Sequence, residues 1–174
     1  MSTRSVTVIQ MNYTDSKLSL YRHSDGYLAV AGAALVEALN GATCPEQVAG
    51  RLLCMTYDRE QEPRLRAVYH VTTSAADHGD AEHVYTAWLS PEGWRVRHSV
   101  RPAWDETAGD DSTTWPASVY TLADFAAGVN DERRRENIRL VGIRKSQPYF
   151  ADVPDFEMVA AGDATMPTMY VREA

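Results

Sequence analysis

The run "SDGYLAVAGAALVEALNG", residues 24–41, leaves this chain less conformational choice than any other stretch. Leu28, Ala31, Gly32, Leu35 and Leu39 recur at helical spacing, and Gly41 stands where a C′ glycine belongs. The spacing predicts a first helix. Its small residues Ala29, Ala31, Gly32, Ala33 and Ala34 let the axis come unusually near whatever it packs on, so the fold must offer a closely fitting surface.

The flanking segments read as that surface. "RSVTVIQMNY" sets Val6 and Val8 against Thr7, Ile9 and Met11, an alternation suited to a strand near the centre of a sheet. After the polar turn "NYTDSK", the stretch "KLSLYRH" supplies a second strand, and the two predict a hairpin. Further on, "RAVYHVTTS", "HVYTAWLS" and "WRVRHSV" are three strand signals in a row, which predict an antiparallel meander with a type I turn at "SPEG". The last alternates strictly, with Trp94, Val96, His98 and Val100 on a dry side and Arg95, Arg97, Ser99 and Arg101 on a wet one.

Two more helices follow from their start signals. In "TCPE", Thr43 stands as N-cap with Glu46 three residues on and Pro45 in the first turn, ahead of a Val48, Leu52, Met55 face ending near Tyr57. Thr121 and Asp124 form a second capping box, before Leu122, Phe125, Ala126 and Val129 on one stripe. Beyond Val129 that stripe turns to arginine, so this helix is expected to pack by its first half. The class is α+β: an antiparallel sheet of about five strands, N-terminal hairpin plus three-strand meander, packed by two to three helices. Residues 1–145 are expected as one domain and 146–174 as a C-terminal tail, in which "MYVRE" either adds an edge strand or stays loosely attached.

A length of 174 residues suits one core, and 44% apolar with 24% charged residues is ordinary for a globular protein. No stretch reaches the roughly 18 apolar residues needed to span a bilayer, and the opening lacks a secretory signal, so the expected location is the cytoplasm, that of the host cell if the chain is phage-encoded. Cys44 and Cys54 would lie ~15 Å apart on one helix, beyond disulfide reach. A net charge of −7 opposes approach to nucleic acid or an anionic membrane and favours a protein or small-ligand partner.

"STRS", a short apolar strand and then "LYRHSDGYLAVAGAALVEAL" together resemble a group of small uncharacterised bacteriophage and mobile-element proteins. These open Ser-Thr-Arg-Ser, strand, Tyr, two residues, Trp-Asp-Gly-Tyr-Pro and an Ala/Gly/Leu-rich helix. The resemblance covers roughly the first 40 residues, with Ser24 in place of the tryptophan and Leu28 in place of the proline; "EHVYTAWLSPEGWRVRHS" is similar to a later hairpin of the group. It implies an accessory protein of phage or mobile-element type and carries no activity with it.

Candidate chemistry concentrates at "HSDGY". A hydrolytic triad of His23, Ser24 and Asp25 is disfavoured, because alternation points Ser24 away from the other two. In the structural account Asp25 caps the helix, Gly26 permits the turn and Tyr27 packs over the junction. In the binding account Arg4, Arg22, His23, Asp25 and Tyr27 surround free helix N–H groups that hold a phosphate or carboxylate. "DHGDAEH" offers Asp77, His78, Asp80, Glu82 and His83 as metal ligands but reads better as a solvated loop. "ERRRENIRLVGIRK", with Trp104 or Trp115, is the weaker candidate for nucleic acid, its arginines being balanced by Asp131, Glu132 and Glu136. No cofactor motif is present. The expected function is non-enzymatic binding of a host protein, with binding or processing of a phosphorylated small molecule at the hairpin-to-helix junction as the alternative.

Overall fold

A computed structural model describes residues 3–11, 16–57, 66–73, 78–102 and 114–143. The chain is α+β. Strands β1 (Ser5–Gln10) and β2 (Lys17–Arg22) lead into a π-helical turn (Leu28–Gly32), which continues as α1 (Ala33–Leu39), followed by α2 (Pro45–Leu53). A two-residue pair, β3 (Thr56–Tyr57) and β4 (Arg66–Ala67), precedes β5 (His70–Thr72), β6 (His83–Ser90), β7 (Gly93–Val100), β8 (Ala117–Thr121) and α3 (Leu122–Ile143). The main sheet has six strands in the order β5-β2-β1-β6-β7-β8.

The expected hairpin forms, with Ser5 opposite Arg22 and Gln10 opposite Lys17. The expected meander does not. Of its three strands only β6 and β7 pair with each other, while β5 crosses to the far edge beside β2 and β6 lies parallel to β1, Ser5 opposite His83. The cause is visible in β1, which buries Val6 and Val8 on one face and Ile9 on the other; a strand apolar on both sides takes a neighbour along each edge and cover over each face. The sixth strand, "ASVYT", lies directly behind Pro116 and reads in sequence as the end of a polar loop, yet it pairs along β7. The proposed tail strand, Asp77 and Trp104 lie outside the described residues.

Helices cover one face of the sheet. Ile9, Leu20, Tyr85, Ala87, Trp94 and Val96 meet Ala31, Leu35, Leu39, Val48, Leu52, Phe125 and Val129 in one cluster. The small residues of the first helix serve the purpose their pattern implies: a Cβ on Gly32 would stand 3.0 Å from Cγ2 of Val129, so α3 rests directly on that glycine. Trp94 anchors the opposite end, its indole N–H donating to the carbonyl of Ala42 at 2.8 Å. On the outer face a smaller cluster joins Val6, Val8, Ala81, Val84 and Trp115. This second cover modifies the alternation of β7: Trp94 and Val96 are buried as expected, but so is Ser99, which lies opposite Val84, whereas Val100 is exposed.

The helix ends correct three expectations, and the first is that α2 stops at Leu53, short of the expected end near Tyr57, which lies in β3. No side chain caps the first helix; Tyr27 precedes it in extended conformation, and its carbonyl takes the N–H groups of Val30 and Ala31. In α2 the N-cap is Cys44 rather than Thr43, with Pro45 in the first turn, and Gln47 reaches back to accept from the Thr43 N–H at 2.9 Å. Cys44 and Cys54 flank this helix as free thiols. The box at α3 forms as expected: Thr121 Oγ1 accepts from the Asp124 N–H at 3.1 Å and donates to its carboxylate at 2.7 Å. Burial on α3 runs past Val129 to Asn130 and Arg133, so packing extends one turn further than the stripe suggests, while Arg134 and Arg135 are exposed and paired with Asp131 and Glu132. Among the described residues no helix is long and apolar enough to cross a membrane.

Candidate functional site

Side chains alternate along β2, so Tyr21 and Arg22 leave the sheet on opposite faces. Tyr21 falls on the outer face with Val6, its partner on β1, and becomes the centre of a polar cluster. Its ring stacks on the imidazole of His78, centroids 3.9 Å apart and 12° from parallel. Its hydroxyl donates to Asp80 Oδ2 at 3.3 Å and lies 3.4 Å from Nδ1 of His23. Asp80 in turn forms an ion pair with Arg4, Nε to Oδ2 3.2 Å, and His78 Nε2 contacts Thr72 Oγ1 at 2.8 Å. Partial burial raises the Tyr21 phenol above its ordinary pKa, the Asp80 charge adds to the shift, and the Arg4 charge opposes it. The phenol therefore stays protonated and remains a donor at neutral pH.

The five residues singled out at the junction divide between the two faces. Arg4 and His23 join the Tyr21 cluster. Arg22 turns inward, where it is buried, donates from Nε to the Ser24 carbonyl at 2.7 Å and places its guanidinium 5.4 Å from the centre of the Tyr69 ring. Asp25 is exposed and sits two residues ahead of the helix N-cap, so it does not act as cap. It also carries the left-handed torsion, φ +56°, that the turn was expected to assign to Gly26. Gly26 is glycine for another reason: a Cβ there would stand 2.5 Å from the Arg4 carbonyl carbon and 2.6 Å from the Ser5 nitrogen. Its N–H donates to Thr3 at 2.8 Å, which fixes the junction against the start of β1. Tyr27 is half-buried at the helix start.

Beneath the junction lies a second polar group, on the helix face. His83 Nδ1 and His98 Nε2 are 2.9 Å apart, and the rings of His83, Tyr85 and His98 run nearly parallel. Burial holds both imidazoles neutral, pulling each down to about 4, with a further lowering of His98 from His83. Beside them the Ser5 and Thr7 hydroxyls are fully buried without a hydrogen-bond partner among the described residues.

Tyr21 carries no sequence signal of a site, and His78 and Asp80 stand out in the sequence only as metal ligands. The alternation of "LYRH" does place Tyr21 with His23, but residues 78–80 reach them only through the β2-β1-β6 pairing, which has no local signature. No group of three His, Cys, Asp or Glu among the described residues is placed to hold a metal ion. Comparison with protein-family models, with curated proteins and with solved structures returned no match.

Proposed function

We propose that this chain is a non-enzymatic accessory protein of phage or mobile-element type that acts by binding a host protein. The observation that carries the reading is the Tyr21 cluster: two histidines against the Tyr21 ring and hydroxyl, and Tyr21 and Arg4 against the Asp80 carboxylate, pre-arranged on the outer face of the sheet. Tyrosine and arginine are the residues that most often anchor protein interfaces, and a cluster ordered before binding loses less side-chain freedom on association. The net charge of −7 favours a partner with a neutral or basic surface. The test is capture from host lysate by the wild type, by Tyr21→Ala and by a charge-matched control. A host protein retained by the wild type and lost with Tyr21→Ala, at unchanged melting temperature, supports the reading. No enrichment over the control, or enrichment indifferent to Tyr21, removes it.

A second reading places a phosphorylated small molecule at the hairpin-to-helix junction. Its support is that Ser5, with a buried hydroxyl, lies directly across the β1–β2 ladder from Arg22, and hydroxyl plus guanidinium is phosphate-binding chemistry. Thermal stability against a nucleotide and sugar-phosphate panel tests it. Stabilisation shared equally by wild type and Arg22→Ala would be nonspecific.

A further inference from the structure

The polar groups on the two faces of the sheet meet at the main chain of one residue. The carbonyl of Arg4 accepts from the Glu82 N–H at 3.0 Å and from the His83 N–H at 3.3 Å, so the start of β6 is pinned to the residue ahead of β1. On the outer face the Arg4 side chain pairs with Asp80, which accepts from Tyr21. On the helix face His83 opens β6 and meets His98, Nδ1 to Nε2 2.9 Å. A ring-to-ring contact of this kind takes one N–H and one bare nitrogen. A first added proton sits on the far nitrogen of the donating ring and keeps the contact; a second leaves N–H facing N–H. Each brings charge into a layer that already holds a cation. From β2 comes Arg22, across the ladder from Ser5, which itself lies opposite His83; the Arg22 charge reaches Tyr85 of β6. Tyr69, ahead of β5, lies under the same guanidinium, and β8 sets Ser118 opposite His98. From α3, Phe125 meets the Tyr85 ring, and Arg133 is buried further along the helix. Among the described residues an imidazolium there has arginine, phenol and hydroxyl for neighbours. The least costly response is for His83 to leave, and as the first residue of β6 it does so by opening one strand end, where opening free energies are lowest.

We propose that the His83–His98 pair is an acid-operated latch on the Tyr21 cluster: as the pair takes up protons, the first residues of β6 part from Arg4 and draw Asp80 away from Tyr21. The inference rests on the reading of that cluster as the binding surface, and it makes host-protein binding depend on pH. The mechanical link is short, because Asp80 lies two residues before Glu82, whose N–H is held by Arg4 and whose carbonyl accepts from the Arg101 N–H at 2.8 Å. The direction follows from the two environments. Burial keeps both rings neutral down to about 4, whereas an imidazole released into water takes up its proton near 6.5. The latch is therefore closed above about pH 6.5 and loosens as pH falls toward 4, by at most about tenfold per histidine per pH unit.

The experiment is amide exchange of the full chain at about pH 7 and about pH 5, expressed as protection factors so that the intrinsic acid dependence of exchange drops out. Imidazole nitrogen shifts follow the protonation of His83 and His98 in the same samples. Protection of the Glu82 and His83 amides is expected to fall by about tenfold or more, in step with protonation of the pair, while the Leu39 amide of α1 and the Val96 amide of β7 hold theirs. The double variant His83→Gln, His98→Gln takes up no proton there and should show no such fall. Protection that is indifferent to pH overturns the proposal, as does a fall shared equally by Leu39 and Val96, which is global unfolding, or a fall that persists in the double variant. The wild-type shifts and protection factors decide the matter even if the double variant fails to fold. Lysate capture at the same two pH values completes the test: Tyr21-dependent capture at pH 7 that is undiminished at pH 5 overturns the latch. Absence of Tyr21-dependent capture at pH 7 is a failure of the binding reading instead, and the two are told apart because exchange is measured without a partner.

Discussion

Tyr85 donates its hydroxyl proton to the carbonyl of Gly26 at 3.0 Å, tying the middle of β6 to the junction between hairpin and helix. The bond is buried, and burial together with the neighbouring Tyr69 raises the phenol well above its ordinary pKa, the Arg22 charge partly offsetting this. Tyr85→Phe removes the donor and strands a buried carbonyl, so it should cost about 1–3 kcal/mol. The urea midpoint measures this, and an unchanged midpoint would show that water serves the carbonyl equally well.

At the junction, neighbouring substitutions should act in opposite directions. Gly26→Ala drives a methyl into the backbone of Arg4 and Ser5 and should destabilise by about 1–3 kcal/mol or more. Asp25→Gly relieves a left-handed torsion and should leave stability unchanged or improve it by up to about 1 kcal/mol. Denaturation of both variants checks the pair; a loss at Asp25→Gly as large as that at Gly26→Ala would contradict it.

Much of this architecture is legible in the sequence. Small residues from Ala29 to Ala34 announce a close helix contact, and Gly32 against Val129 is that contact. Thr121 and Asp124 announce a box that forms. What stays hidden is what local pattern does not encode. Gly26 looks like a torsional glycine but is required by the approach of β1, while Asp25, one of the few other residues that tolerate a left-handed φ, takes the torsion. Periodicity shows that β1 is central without naming β6 as its neighbour. For the same reason the candidate site was only half visible, its Arg4 and His23 without Tyr21 and Asp80.

The histidine pair makes stability depend on pH. His83 and His98 are held neutral in the fold, down to about 4, whereas in the unfolded chain they take up protons near 6.5. Their contribution is therefore complete above about pH 6.5 and is lost as pH falls from there toward 4, by at most about 1.4 kcal/mol per histidine per pH unit. Urea midpoints at pH 7.5, 6 and 5 should fall more steeply for the wild type than for His83→Gln or His98→Gln. Parallel curves would show that the two histidines titrate alike in the folded and the unfolded chain.

The two threonines expected as caps from sequence, Thr121 and Thr43, should differ. Thr121→Ala breaks a reciprocal box and should cost about 0.5–2 kcal/mol. Thr43→Ala leaves the Gln47 bond to the residue 43 N–H intact and should cost less. Thermal melts of the two variants give the order, and a larger loss at Thr43 would contradict it.

The parallel pairing of β1 with β6 also has a consequence for the order of events during synthesis. Ser5 cannot find His83 until the intervening chain, with α1 and α2, has left the ribosome, roughly 4–16 s later at about 5–20 residues per second. During that interval β1 has one unfilled side, with Val6, Val8 and Ile9 among its residues. The nascent protein therefore passes through a stage in which the strand most deeply buried in the finished fold is bare along one margin, and that is when a chaperone would be most useful to it.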